Sequence, residues 1–184
     1  MPPPAPDDGR LSALASVLLV AGGPVKIGAL AEALQCSRRE VSTLLDALEL
    51  ELTAGIRLQR QLDEVQLTTA PENADVIQRF LGAAHPPALT RASLEVLTIV
   101  AYHQPVTRAE VEAMRGVNSD RAIQTLLSRD LIEERGQRPV LGRPMEYGTS
   151  FRFLEYFGLT SLDDLPPLPD AESAQHAPDV GIRR

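Results

Sequence analysis

The chain has 184 residues, of which 43% are hydrophobic and 23% are charged. This composition is typical of a globular protein and excludes disorder over the whole length. The net charge of −7 argues against a dedicated nucleic-acid binder. The longest apolar run, residues 17–23, is too short to span a membrane, and the N-terminal residues carry acids where a signal peptide carries positive charge. We therefore expect a cytoplasmic protein that is not inserted in a membrane.

Proline-rich segments divide the sequence into five parts. We predict a disordered arm at 1–9, a compact domain at 10–82, a linker at 83–88, a second compact domain at 89–165, and a disordered acidic, proline-rich tail at 166–184.

The two compact domains resemble each other in sequence. Pro24 in the first matches Pro105 in the second, and Leu44 matches Leu126 further along. The matching residues keep the same order in both domains. This pattern predicts two copies of one supersecondary unit.

The first copy predicts three helices. Residues 11–21 are apolar on nearly every side, which predicts a helix that is buried on two sides. A second helix is predicted at 28–34. The third begins with a capping box of Ser37 and Glu40 and ends at Gly55.

A hairpin and a fourth helix follow in the first copy. Apolar and polar residues alternate at 56–59 and again at 65–68, which predicts two short strands around a turn. The helix at 71–81 is predicted to be capped by Thr69 and Glu72.

The second copy predicts the same order of elements. Thr90 caps a helix at 91–103, and Thr107 and Glu110 form a capping box for the next helix. A third helix, a hairpin and a last helix ended by Gly158 follow. Three helices and a hairpin form the winged-helix version of the helix-turn-helix. We therefore predict a mainly α fold with small β-wings, built as two tandem winged-helix domains.

The sequence offers no recognisable active site. The three histidines are far apart in sequence, and Cys36 has no histidine near it. The sole lysine, Lys26, does not stand in a glycine-rich phosphate loop. We expect no enzymatic activity, no metal and no cofactor.

DNA binding by the second domain remains an alternative interpretation. Arg121, Gln124 and Arg129 lie on its predicted third helix and Arg138 lies in its wing, where they could reach phosphates and base edges. Acidic residues such as Asp120 are interleaved with them and would repel phosphate. The alternative function is therefore a winged-helix transcription regulator.

Aromatic residues are concentrated in the second domain. Phe153 and Phe157 are one helical turn apart, and we predict that both lie in its core. Tyr147, Phe151 and Tyr156 cannot all face the same core. Some of these three are therefore predicted to be exposed anchors of a binding surface.

Four motifs stand in order along the second half of the chain. They are YHQPVTR at 102–108, RGVNSD at 115–120, GRPMEYGT at 142–149 and FLEYFGLTSLDDLP at 153–166. Together they resemble the motifs of the bacterial segregation and condensation protein B family. The resemblance extends over about residues 11–166.

This resemblance implies a non-catalytic subunit of the chromosome-condensing SMC–kleisin complex. It implies a homodimer formed through the first domain, a kleisin subunit bound by the dimer, and SMC reached through the kleisin. Location at the nucleoid and weak or absent direct DNA binding follow from the same resemblance.

The resemblance also guides the choice of candidate site residues. The second apolar side of the helix at 11–21 would face the partner copy. The candidates for the dimer interface are Leu11, Leu14, Val17 and Leu18. The candidates for kleisin-facing residues, or for buried supports of that surface, are Tyr102, Gln104, Arg115, Asn118, Arg143, Tyr147 and Tyr156. Equally good interpretations are that Asn118 caps a helix and that Arg143 only shapes the wing.

Overall fold

The computed structural model describes residues 8–52, 54–82 and 87–168. This part of the chain is mainly helical with small antiparallel sheets. Most of the predicted arm, linker and tail lies outside the described residues. None of the helices in the described ranges is long and apolar enough to cross a membrane.

The secondary structure comprises helices, short strands and two 3-10 turns. The helices are α1 (Asp8–Ala21), α2 (Ile27–Ala33), α3 (Arg38–Glu51), α4 (Ala74–Leu81), α5 (Arg91–His103), α6 (Arg108–Arg115), α7 (Asp120–Ser128) and α8 (Phe151–Phe157). The strands are β1 (Val25–Lys26), β2 (Ile56–Gln61), β3 (Glu64–Thr69), β4 (Val106–Thr107), β5 (Ile132–Gln137) and β6 (Met145–Thr149). The 3-10 turns are Pro71–Asn73 and Leu162–Asp164.

The same order of elements occurs twice along the chain. A helix, a short strand, two helices and a hairpin form the first unit, which ends with α4, and recur in the second unit, from α5 to the turn at Leu162–Asp164. The strand order is β1-β3-β2 in one sheet and β4-β6-β5 in the other. The sequence analysis missed β1 and β4, because two residues are too few to show an alternating pattern.

Local signals place the helix ends correctly at most positions. The backbone N–H of Ser37 donates to Glu40 Oε2 at 2.8 Å, and the backbone N–H of Thr107 donates to Glu110 Oε2 at 2.8 Å. Both predicted capping boxes are therefore confirmed. Gly158 ends α8 in the left-handed conformation, as predicted.

The predicted cap of the helix at 71–81 is wrong. Its first residues form a 3-10 turn preceded by Ala70, and α4 begins only afterwards. Thr69 is the last residue of β3 and pairs with Ile56. The carboxylate of Glu72 lies 2.7 Å from the Arg57 guanidinium, so this ion pair takes the side chain that the cap would have needed.

Each unit has a hydrophobic core of its own. Leu30 and Val111 occupy matching places on α2 and α6, and both are fully buried. The first core consists of Leu11, Leu14, Leu18, Leu30, Val41, Leu44, Leu45, Leu48, Leu58 and Val65. The second core consists of Leu89, Val96, Leu97, Val100, Ala101, Val106, Val111, Ala122, Ile123, Leu126, Leu131, Ile132, Phe153 and Leu154.

The position of α1 corrects the predicted dimer interface. Leu11, Leu14 and Leu18 are buried in the core of their own unit and have no surface to offer a second copy. Val17 is half-buried against the same core. The large apolar residues that α1 leaves exposed are Leu19 and Val20, at 72% and 87%. The exposed side of α1 that carries Leu19 and Val20 therefore lies roughly opposite the side predicted to face a second copy.

Replacing Leu14 by Ala should destabilise the first unit by about 2–5 kcal/mol, because the removed side chain leaves a cavity in a closed core. The same change at Leu50, which is 86% exposed on α3, should alter stability by no more than about 0.5 kcal/mol, because this side chain faces water. Urea unfolding followed by circular dichroism measures both. Equal effects of the two substitutions would contradict the assigned orientation of α1.

Candidate partner-binding surface

Arg115 organises the turn between α6 and α7. Its side chain is only 9% exposed and lies 3.0 Å from the Glu95 carboxylate of α5. The guanidinium also donates to Ser119 Oγ at 2.8 Å, while the backbone N–H of Ser119 donates to Glu112 at 3.0 Å. Arg115 is therefore held within its own unit and supports the surface around it.

Asn118 serves the start of α7. Its side-chain oxygen accepts a hydrogen bond from the backbone N–H of Asp120 at 3.2 Å, and its amide donates to the Asp120 carboxylate at 3.1 Å. The contact with Asn118, together with the ion pair with Arg108, lowers the pKa of Asp120. These contacts agree with the helix-start interpretation of Asn118, although its side chain is exposed.

Gln104 and Thr149 join the end of α5 to the end of β6. The Gln104 side-chain oxygen accepts from the backbone N–H of Thr149 at 2.8 Å, and its amide donates to the Ala101 carbonyl at 3.2 Å. A Cβ atom at Gly148 would lie 2.8 Å from the Gln104 oxygen, so a larger residue there would displace the Gln104 side chain from this junction. The two motifs that contain Gln104 and Thr149 thus form one hydrogen-bonded junction.

Tyr102 and Tyr147 support the second core from its edge. Tyr102 donates its hydroxyl to the Pro166 carbonyl at 2.5 Å, which holds the start of the predicted tail on α5. Tyr147 is half-buried and pairs across the sheet with Val106. Burial raises the pKa of the Tyr147 hydroxyl. Both tyrosines are therefore supports of the surface.

The wing tip of the second unit is exposed and apolar. Leu141 is fully exposed and Val140 is half exposed, on the loop between β5 and β6. Arg143 is also exposed and has a positive φ of 42°, which is uncommon for a residue with a side chain. Its backbone N–H donates to the Val140 carbonyl at 2.9 Å and closes the loop. Arg143 both shapes the wing and remains accessible there.

Tyr156 and Phe157 form an exposed aromatic pair on α8. Their ring centroids are 5.1 Å apart in an edge-to-face arrangement, and the two residues are 43% and 45% exposed. The prediction that Phe153 lies in the core is confirmed, whereas the same prediction for Phe157 is wrong. Phe157 only contacts Phe153 from outside, at a centroid distance of 5.0 Å.

A groove with mainly apolar walls lies at the boundary of the two units. We call it the boundary groove; its volume is about 900 Å³. Leu67, Ile77 and Leu81 line it from the first unit, and Tyr156 and Leu159 line it from the second. Of these lining residues, only Tyr156 was predicted from the sequence as a candidate, and the wall from the first unit was not predicted.

Helix α4 leaves its apolar side chains uncovered next to this groove. None of its residues is buried, and Phe80 is 88% exposed. Val76 and Leu81 are also exposed. The signal was present in the sequence, because Val76 and Phe80, like Ile77 and Leu81, are four residues apart on one side of a helix. Such an uncovered apolar face is characteristic of a protein-binding surface.

The candidates for DNA contact do not form a positive surface. Arg138 lies 2.6 Å from both Glu110 and Glu146, so its charge is balanced. Arg138, followed by Thr107, lowers the pKa of Glu110 to about 2. The other three candidates lie on α7 and at the residue that follows its last turn. Arg121 and Gln124 are exposed, whereas Arg129 donates to the Pro87 carbonyl at 2.7 Å.

The sequence that forms this surface matches a model of a known protein family. The family described as "Segregation and condensation complex subunit ScpB" matches residues 12–168. The chain belongs to this family. Segregation and condensation protein B of Moorella thermoacetica is 43% identical over 172 residues, which cover 91% of this chain and 87% of that one. The corresponding protein of Carboxydothermus hydrogenoformans is 44% identical over 161 residues, which cover 85% of each chain.

A relative of this chain has a solved structure. The crystal structure of ScpB from Mycobacterium tuberculosis is 38% identical, covers 83% of this chain and 97% of that chain, and superposes with a TM-score of 0.41. The family is one of chromosome segregation and condensation, and its description names a subunit of a complex and no catalytic activity.

Replacing Arg115 by Met should lower the free energy of unfolding by about 1–3 kcal/mol, because it leaves the partners of a nearly buried charge unsatisfied. Arg91 provides a matched control, since it pairs with the same Glu95 but its side chain is 95% exposed. Its replacement by Met should cost no more than about 0.5 kcal/mol. Thermal and urea unfolding measure both, and an unchanged stability of the Arg115 variant would show that this residue is not a support.

Proposed function

We propose that the protein is a non-catalytic accessory subunit of the bacterial SMC–kleisin complex, which forms homodimers and binds the kleisin. SMC is reached through the kleisin, and the site of action is the nucleoid in the cytoplasm. The observation that carries this proposal is the uncovered apolar face of α4 beside the boundary groove. Membership of a family described as a complex subunit supports it.

Each unit is proposed to be a winged-helix domain. The order of three helices and a hairpin, with a short strand after the first helix, supports this assignment in both units. The segment 10–82 would form the dimer, the segment 89–165 would bind the kleisin with the help of α4 from the first segment, and 83–88 would link the two. The paired charges on the second unit support protein binding rather than DNA binding.

The proposed dimer surface is the outward side of α1. Leu19 and Val20 are exposed there, and Ser12 and Ser16 continue the same side without charge. Small residues let a second helix approach closely, and the two large apolar side chains would then be removed from water. This surface replaces the buried leucines that the sequence analysis proposed for the same contact.

The proposed kleisin surface is the boundary groove, which Tyr156 lines, together with the exposed side of α4 beside it. The ion pairs at its rim are already formed, because Arg57 lies 2.7 Å from Glu72 and Arg152 lies 2.9 Å from Glu155. Attraction of a charged partner would therefore contribute little, and burial of apolar side chains would contribute most. A kleisin segment that forms an amphipathic helix would meet this requirement.

Size-exclusion chromatography with light scattering tests this proposal. The wild-type protein should be a dimer, and addition of the kleisin from the same genome should give a heavier complex. The double variant Leu19→Glu with Val20→Glu should be a folded monomer, because each dimer would bury four uncompensated charges. Leu50→Glu is the control, since Leu50 is equally exposed but lies on α3, and it should remain a dimer.

A dimer that persists in the Leu19 and Val20 variant would contradict the assigned surface. A wild-type protein that stays the same size in the presence of the kleisin would contradict the proposed function itself.

A further inference from the structure

Three glutamines of the first unit are buried on the outer face of its sheet. They are Gln59 and Gln61 on β2 and Gln66 on β3, and each is at most 5% exposed. Leu58 and Val65 face the opposite way, into the first core. The outer face of this sheet would be exposed to water if the second unit did not cover it. We call the three residues the glutamine row.

The glutamine row holds the second unit by hydrogen bonds. Gln59 donates to the Leu159 carbonyl at 2.8 Å, and Gln66 donates to the Glu155 carboxylate at 3.2 Å. Gln61 donates to the hydroxyl of Thr149 at 3.1 Å and also to the Thr149 carbonyl. A further backbone hydrogen bond joins the N–H of Arg60 to the Thr160 carbonyl at 2.9 Å.

Neither hydrophobic core continues across this contact. The two hydrophobic cores are separate clusters that share no residue. At the edge of the docked surfaces, Pro71 approaches Gly158 so closely that a Cβ on the glycine would lie 3.0 Å from the proline ring. Hydrogen bonds to glutamine exchange readily for hydrogen bonds to water, and polar surfaces between domains permit relative motion.

The docked arrangement also leaves two polar atoms unsatisfied. Gln61 Oε1 and Arg135 Nε are buried and have no hydrogen-bond partner among the described residues. Both side chains donate to the same Thr149 carbonyl, Gln61 through Nε2 and Arg135 through Nη2. Water could satisfy both atoms once the units separate, which lowers the cost of separation.

We propose that the glutamine row is a releasable clasp, through which the two units dock and from which they separate without either one unfolding. Each unit keeps its own core after separation, and the exposed glutamines remain compatible with water. Because the walls of the boundary groove come from both units, release of the clasp also changes the width of that groove. This inference concerns the chain alone and does not depend on which partner it binds.

Distance measurement between the units tests the clasp. Spin labels are placed on the full-length protein at Thr43→Cys in α3 and Ser128→Cys in α7, with Cys36→Ser to remove the native thiol. Thr43 and Ser128 are both exposed. Double electron–electron resonance then gives the distribution of distances between the units, with excess unlabelled protein to suppress distances between copies.

The test variant is Gln61→Glu with Gln66→Glu, which changes the side chains little in size. It places carboxylates against the Thr149 carbonyl and against Glu155, and so repels the second unit. The ratio of separated to docked molecules should rise by about tenfold or more, since unpaired buried charges are costly, while the helical circular dichroism is retained. Gln124→Glu, an exposed control on α7, should leave the distribution unchanged.

Two results would overturn the clasp. An unchanged distance distribution in the double variant would show that the glutamines do not hold the units together. A loss of helical signal in that variant would show that docking is part of a single cooperative fold, in which the units cannot separate without unfolding.

Discussion

Thr149 is the residue on which the arrangement of this protein depends. It is fully buried, and each of its polar backbone groups has a partner: its N–H binds Gln104 at the end of α5 and its carbonyl accepts from Arg135 on β5. The same carbonyl accepts from Gln61 of the first unit. One residue therefore ties together a helix end, a sheet and the neighbouring unit. The bonds to Gln104 and Arg135 lie within the second unit and do not depend on Gln61, so water can replace Gln61 at the Thr149 carbonyl when the units separate.

Signals that act over three or four residues were predictable from the sequence. The capping boxes at Ser37 and Thr107 and the glycine that ends α8 satisfy nearby backbone groups, so they depend little on the rest of the fold. The repeated order of elements followed from these signals. The cap at Thr69 and Glu72 failed because a distant arginine, Arg57, competes for the carboxylate.

Whether a side chain faces the core, or is covered by a distant part of the chain, was not predictable in the same way. The helix at 11–21 is apolar on most sides, so the sequence alone did not decide which leucines face its own core. The alternation at 56–59 predicted a strand with Gln59 on the side opposite Leu58, but the burial of Gln59 and Gln61 depends on the second unit, far away in sequence. For the same reason, the sequence did not reveal that the candidates Gln104, Arg115 and Tyr147 are held by contacts within their own unit. Among these candidates, Tyr156 is an exposed aromatic side chain on α8, and Arg143 is exposed at the wing tip.

The central claim is that this subunit binds a protein and not DNA, through apolar side chains beside α8. Isothermal titration calorimetry with the kleisin, on the wild type and on Tyr156→Ala, tests it most directly, with duplex DNA as a parallel titrant. The account predicts kleisin binding that weakens by about tenfold or more when Tyr156 is removed, and no DNA binding at physiological salt. Salt-sensitive DNA binding by the wild type, with no heat from the kleisin, would contradict it.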